Sequence, residues 1–291
     1  MLDVARYDLR DAELVTRCRA ALEERGAVHL SGFMNTADAA ADGARMEALA
    51  RSGCAYRAEA RHNVLLEDSN AAGGQAALAS PGGATHTQLR SLKSCIAGDR
   101  VPPDSSVAAL YASDELLDFV SAVASPGGGS EGGDGSDAGA VGAVPRWYRT
   151  ADALGALNVH VYENNDELNW HWDRGELAVT LLLQAPQAGG RFEYVRRPRP
   201  PGDACVAEEI AAAVLGADGG EHGGSDGDGS IIESIDLAPG SLLLLRGQRH
   251  LHRVTPVNGA RARVLAVLSY ESKPGRMLNA YTRERFYGRQ G

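Results

Sequence analysis

The 291-residue chain has only four cysteines, Cys18, Cys54, Cys95 and Cys205, and they lie far apart with no Cys-x-x-Cys pair, so the thiols are expected to be reduced. Long apolar runs are also missing. The opening Met1-Leu2-Asp3-Val4-Ala5-Arg6-Tyr7-Asp8 has no signal-peptide core, and no uncharged stretch reaches the ~20 apolar residues of a membrane span. The expected compartment is therefore the cytoplasm, with no membrane partner. Cations are in the minority: 29 Lys and Arg stand against 38 Asp and Glu, a formal charge of −9. Nucleic-acid binding leaves a basic footprint, so no nucleic-acid partner is expected. The one local basic run, Arg196-Arg197-Pro198-Arg199, lies beside prolines and reads as a loop.

What is present is enough for one large core, and the chain reads as a single domain, 1–291. Asp11 is placed to cap a helix over Ala12 to Arg25, with Leu14, Val15, Cys18, Ala21 and Leu22 on one stripe and Gly26 as its stop. Val28-His29-Leu30 reads as a short strand. Thr36 to Arg51 is alanine-rich and helical, and Ser113 caps a further helix carrying Leu116, Leu117, Phe119, Val120 and Val123. Residues 1–125 thus read as helical support, which would cover one face of a sheet. Two glycine-rich stretches, 126–144 and 216–230, bury too little apolar surface to offset chain entropy and are expected to be mobile insertions.

The chemistry concentrates in Asn169-Trp170-His171-Trp172-Asp173 and in Arg249-His250-Leu251-His252-Arg253-Val254. On a strand, alternate side chains leave the same face, so His171 and Asp173 point one way and Trp172 the other. A His-x-Asp pair joined by one distant histidine can hold an octahedral iron(II) by one face and leave the opposite positions open. The apolar run Leu242-Leu243-Leu244-Leu245 delivers either His250 or His252 after the Gly247 break, and His252 is favoured. Glu176 to Gln184, Phe192 to Val195 and Arg261 to Tyr270 read as further strands. Before the motif, Asn158, His160 and Tyr162 alternate with Leu157, Val159 and Val161, which puts three polar groups on one face.

In this order the segment Asn158 to Gly275 resembles the iron(II)/2-oxoglutarate-dependent dioxygenase superfamily, and most closely its free-amino-acid hydroxylases and halogenases. The residues that carry the closer likeness are His171-Trp172-Asp173-Arg174-Gly175-Glu176, the Gly189-Gly190-Arg191-Phe192-Glu193-Tyr194 turn and Leu251-His252-Arg253-Val254-Thr255. The resemblance implies an α+β protein built on a double-stranded β-helix, a jelly-roll or cupin-like fold, with residues 145–275 as the catalytic core. It implies Fe(II) as cofactor, 2-oxoglutarate and dioxygen as co-substrates, and ascorbate as a supporting reductant. It also implies that an arginine on the strand after His252 clamps the far carboxylate of 2-oxoglutarate. Arg261 and Arg263 share strand parity, and Arg263, which begins the longer apolar run, is favoured.

Tyr162 stands where many relatives place a tyrosine that bonds 2-oxoglutarate, and His160 where some carry an asparagine. Arg174, Glu176 and Trp172 follow or separate the metal pair and are expected to help hold the substrate. Radical halogenases carry Gly or Ala at the position of Asp173, so the carboxylate implies a hydroxylase acting on a small molecule, with a free amino acid expected. A peptide or specialised-metabolite hydroxylase and a non-catalytic cupin-like binding protein are the alternatives.

Overall fold

The computed structural model describes residues 6–66, 83–125, 146–217 and 231–291. The expected insertion 126–144 lies outside the described residues, as does the expected insertion 216–230 beyond residue 217. The helices are α1 (Ala12–Arg25), α2 (Thr36–Leu49), α3 (Ser106–Ala112), α4 (Asp114–Ala124), α5 (Ala204–Ala217) and α6 (Ala280–Tyr287). Helix α1 begins and ends where its sequence dictates. Asp11 accepts a hydrogen bond from the Glu13 amide at 2.9 Å, and Gly26 takes the left-handed conformation, φ 78°, that an L side chain disfavours. Ser113 likewise caps α4 through the Leu116 amide at 3.3 Å. Helix α2 stops at Leu49, and Arg51 falls in a wider π-helical turn, Ala50–Cys54, closed by Gly53 at φ 85°.

In chain order the strands are β1 (Ala27–Leu30), β2 (Tyr56–His62), β3 (Leu89–Ile96), β4 (Tyr148–Arg149), β5 (Leu157–Tyr162), β6 (Leu168–His171), β7 (Ala178–Gln184), β8 (Ala188–Gly189), β9 (Phe192–Val195), β10 (Ile232–Ile235), β11 (Leu242–Leu245), β12 (His252–Val254), β13 (Val257–Asn258), β14 (Arg263–Leu268) and β15 (Tyr270–Glu271). Seven form one antiparallel sheet in the order β1-β11-β7-β14-β5-β3-β2, and four form a second in the order β10-β9-β12-β6. From β5 onward the chain alternates between them: β6 in the small sheet, β7 in the large, β9 and β10 in the small, β11 in the large, β12 in the small and β14 in the large. The turn from β5 into β6 is pinned by Asp166, whose two oxygens each accept from Arg57 of β2 at 2.7 Å.

Residues 1–125 are therefore more than helical support, because β2 and β3 extend the large sheet beside β5. The outer face of that sheet, including Val159, Val161, Val264, Ala266 and Leu181, packs against Leu22, Met46, Phe119 and Val120 of the helices. Each fully buried side chain of this kind contributes about 1.5–3 kcal/mol. Its inner face meets the small sheet, where Leu243 and Leu245 pack on Phe192 and Tyr194, and Tyr162 packs on Leu168 and Val254. The small sheet has its own outer cover: Trp170, Trp172 and Val195 pack under Ala207, Ile210, Ala211 and Val214 of α5.

The C-terminal helix α6 is tied down by polar contacts. Arg283 donates to the buried Asp152 at 2.8 Å, and Arg289 pairs both oxygens of Asp99 at 2.6 and 2.9 Å. All four cysteines are free thiols. Among the described residues, no helix is long and apolar enough to cross a membrane.

Candidate metal centre

His171 ends β6, and directly across from it His252 opens β12. Their rings lie 4.2 Å apart between centroids. Asp173 follows just beyond β6, held by its amide to the Gly247 carbonyl at 3.0 Å. Its Oδ1 is 3.5 Å from His171 Nε2 and its Oδ2 is 3.5 Å from His252 Nε2. Among the described residues this is the cluster of His, Cys, Asp and Glu side chains able to hold a metal ion, with its donor atoms all within 4.8 Å of one another. Cis ligands of a first-row metal with bonds of about 2.1 Å stand on the order of 3 Å apart, so a small contraction closes these donors on an ion.

The backbone sets the tautomer of both histidines. His171 Nδ1 faces the Asn169 carbonyl at 2.8 Å, and His252 Nδ1 faces the His250 carbonyl at 2.9 Å. A carbonyl only accepts, so each Nδ1 carries the hydrogen, which leaves each Nε2 available to ligate an ion held between the histidines and Asp173. Burial, reinforced by His171, lowers His252 to about 4. Burial pushes the Asp173 carboxyl up, but the neighbouring His252 and His171 rings, with Lys93 beyond them, outweigh it and bring the group down to about 2, so it stands as a carboxylate. Two neutral imidazoles and one carboxylate are the donor set that leaves a ferrous ion one net positive charge.

His250 points elsewhere. Its Nδ1 bonds the Val195 carbonyl at 2.9 Å, and its ring fills the space a side chain on Gly26 would need, 2.0 Å from such a Cβ. The two candidate arginines separate as clearly. Arg263 is 2% exposed, sits opposite Tyr162 with its guanidinium 5.6 Å from that ring, and its Nη1 has no hydrogen-bond partner among the described residues. Arg261 is exposed and donates to the Pro186 carbonyl at 3.1 Å.

Tyr162 is fully buried, and burial raises its hydroxyl so that it stays protonated. Its oxygen is 3.5 Å from His160 Nδ1. Burial, then Lys93 and Arg263, hold His160 neutral. The fit to 2-oxoglutarate rests on the buried Nη1 of Arg263: a buried donor without an acceptor is costly, and a carboxylate supplies one.

The expected substrate residues scatter. Arg174 is exposed, donates to the Leu66 carbonyl at 3.0 Å and lies over the Tyr281 ring at 5.4 Å. Glu176 is exposed and accepts from Ser272 at 2.8 Å. Trp172 requires a correction: it lies in the apolar cluster under α5, with the Arg199 guanidinium 4.5 Å from its ring, on the opposite side of the strand from His171. Strand parity itself gives the reason, since a residue between two same-face ligands must face away.

Several residues near the centre escaped the sequence reading. His62 Nδ1 donates to the Asn63 carbonyl at 2.8 Å, and its Nε2 takes the Ser91 hydroxyl at 2.7 Å. Ser91 Oγ in turn accepts from the Asn169 amide at 2.9 Å, which braces β6 two residues before His171. Lys93 is buried with its Nζ 3.2 Å from His160 Nδ1. These residues sit on β2 and β3, far from the His171–Asp173 motif in the chain, and α6 brings Arg285 and Phe286 beside them.

The sequence matches no protein-family model and none of the curated proteins. Solved structures do match it. AviO1 from Streptomyces viridochromogenes is similar over 90% of this chain and 96% of its own, at 13% identity and a TM-score of 0.52, a likeness of fold. The non-haem alpha-ketoglutarate-dependent epimerase SnoN from nogalamycin biosynthesis is similar over 90% of this chain and 82% of its own, at 15% identity and a TM-score of 0.49. A 2OG-Fe(II) oxygenase family oxidoreductase from Burkholderia pseudomallei is similar over 90% of this chain and 92% of its own, at 15% identity and a TM-score of 0.46.

Proposed function

We propose that this chain is an iron(II)- and 2-oxoglutarate-dependent oxygenase on a double-stranded β-helix, and that it hydroxylates an aliphatic C–H of a small molecule in the cytoplasm. The observation that carries the reading is the pairing of the His171, Asp173 and His252 donor set with the buried, unpaired Nη1 of Arg263 in the same interior. His160, with its Nδ1 3.5 Å from the Tyr162 hydroxyl, shares β5 with the tyrosine that faces Arg263. Iron(II), 2-oxoglutarate and dioxygen bound there would supply the oxidation, with 2-oxoglutarate decarboxylated to succinate and CO2 and with ascorbate as a supporting reductant.

The chain's own residues have definite tasks. His171 and His252 present neutral Nε2 atoms, and Asp173 fills the third ligand position, the one left to chloride in the halogenases that the motif resembles. Asp173 therefore favours hydroxylation over halogenation. Arg263 pairs the far carboxylate of 2-oxoglutarate, and the Tyr162 hydroxyl donates to the same molecule. A free amino acid is the substrate class that the motif resemblance favours, with Arg174 and Glu176 at the exposed end of the motif as the groups to meet its charges.

The test is co-substrate consumption. Iron-reconstituted protein with 2-oxoglutarate under air should form succinate above the level of a His252→Ala control, and a panel of free amino acids should raise that rate for its substrate. No succinate from the unaltered protein, with or without the panel, would overturn the reading.

A further inference from the structure

The inner face of the large sheet carries a short polar row beside the metal centre. His160 and Tyr162 lie two residues apart on β5, and their rings meet edge to face with centroids 6.2 Å apart. Cys95 of β3 stands across from His160, so Lys93, two residues along β3, shares its face. Tyr162 in turn stands across from Arg263 of β14. Lys93 and Asp173 are near enough for each charge to shift the other.

Within this row His160 Nδ1 is contested. Lys93 Nζ is 3.2 Å from it and the Tyr162 hydroxyl oxygen 3.5 Å. Burial holds His160 neutral, and a neutral imidazole offers one lone pair, so one of the two donors takes it. Lys93 is the nearer, and a charge-assisted hydrogen bond is roughly twice as strong as a neutral one. At 3.5 Å the hydroxyl stands beyond the range of roughly 2.5–3.0 Å in which an O–H donor bonds well. Burial works against the Lys93 ammonium, but Cys95 and the Asp173 carboxylate favour it, and the Phe286 ring centroid lies 5.1 Å from Nζ. An ammonium has three hydrogens and no lone pair, so His160 accepts at Nδ1 and carries its own hydrogen on Nε2.

We infer that Lys93 is a positioning residue: by occupying His160 Nδ1 it leaves the hydrogen of the Tyr162 hydroxyl free for 2-oxoglutarate, the role that the oxygenase reading above gives that tyrosine. Without the ammonium, Nδ1 would be an unpaired acceptor in the interior, which is costly. The Tyr162 hydroxyl is the neighbouring donor able to satisfy it, and a hydrogen turned there is lost to the co-substrate. Lys93 thus acts on 2-oxoglutarate through two intervening side chains.

Two readouts on the full chain test this. Histidine-selective nitrogen NMR of the metal-free protein, with the His160 signals assigned by their loss in His160→Leu, should show Nδ1 bare and Nε2 protonated. Tyr162→Phe should leave that pattern unchanged, because Lys93 and not the tyrosine sets it. A hydrogen on Nδ1 would overturn the inference, since Lys93 would then be the acceptor. The second readout is titration of 2-oxoglutarate into the Mn(II)-loaded proteins without dioxygen. Lys93→Met should weaken binding about tenfold or more in the otherwise unaltered chain. Added to Tyr162→Phe or to His160→Leu it should cost less than about twofold, because each background removes one side of the competition. The same loss in all three backgrounds would overturn the inference and make the lysine a direct ligand or a packing residue. The NMR pattern needs no change at Lys93, so it keeps the test decisive should Lys93→Met fail to fold. Failure of the unaltered protein to bind 2-oxoglutarate would overturn the oxygenase reading and the co-substrate role of Lys93 with it, while the arrangement around His160 would still stand or fall on the nitrogen signals.

Discussion

Gly247 and Asp173 approach so closely that a Cβ on the glycine would lie 2.0 Å from Asp173 Oδ2 and 2.8 Å from its Cγ. The glycine is not needed for a left-handed backbone, and the three atoms nearest to an added Cβ all belong to the Asp173 side chain. Gly247→Ala is expected to turn Asp173 away from the histidines and to weaken Mn(II) binding at least tenfold while moving the thermal midpoint little. Unchanged metal affinity, measured by calorimetry, would show that Asp173 is not a ligand.

The two histidines of the second motif should behave oppositely. His252→Ala removes a donor from the cluster and is expected to abolish stoichiometric metal binding. His250→Ala leaves the cluster whole, removes the bond to the Val195 carbonyl and opens a hole against Gly26. It should lower stability by about 2–3 kcal/mol and retain the metal. Reversal of the two phenotypes would move the ligand to His250.

This division shows what the sequence carried. Period-two alternation in β5 and β6, the caps Asp11 and Ser113 and the Gly26 stop are local signals, and they locate the elements to within a residue or two. The candidate metal ligands are legible for the same reason, because His171 and Asp173 lie two residues apart and a strand fixes their common face. Choosing His252 over His250 or Arg263 over Arg261 needs tertiary information, since the members of each pair share parity and differ only in what they pack against. Lys93, Ser91, His62 and Arg285 carry no local signature at all. They meet the centre through sheet register and through the docking of α6, and nothing short of the fold brings residues so distant in the chain into one cavity.

Trp172 should be a stability residue. Its ring is buried under α5 beneath Arg199, away from the metal. Trp172→Phe is expected to cost about 1–2 kcal/mol in urea unfolding through lost packing and a weaker cation–π contact with Arg199, with metal affinity changed less than twofold. A selective loss of metal binding at unchanged stability would return Trp172 to the site.

His62 gives an acid-sensitive contribution. Burial, partly offset by the Asn63 carbonyl bond, lowers it to about 4, so the folded protein keeps it neutral while the unfolded chain takes up a proton below the ordinary value of 6.5. The unfolded state therefore binds more protons in that window, and the contribution of His62 to stability, complete above pH 6.5, is lost as pH falls toward 4. Between pH 7 and pH 5 the loss amounts to about 2 kcal/mol for the metal-free protein. His62→Gln has nothing to titrate and should show a pH dependence shallower by that amount. Equal slopes for the two proteins in urea unfolding would rule this out.

Arg263 and Arg261 provide the sharpest division between co-substrate binding and surface charge. Arg263 is buried opposite Tyr162 with Nη1 unpaired, and Arg261 is exposed on the Pro186 carbonyl. Losing a charge-assisted pair in the interior should cost about 2–4 kcal/mol of 2-oxoglutarate binding, a weakening of roughly 30- to 1000-fold, whereas loss of an exposed arginine should cost under 1 kcal/mol. Because Arg263→Ala also opens space beside Tyr162, Arg263→Lys is the companion variant: it keeps the charge and removes the planar fork, so an intermediate affinity is expected. Titration of 2-oxoglutarate into the Mn(II)-loaded proteins without dioxygen reads binding alone. Arg263→Ala matching the unaltered protein, or Arg261→Ala falling as far as Arg263→Ala is expected to, would show that the distal carboxylate is held elsewhere.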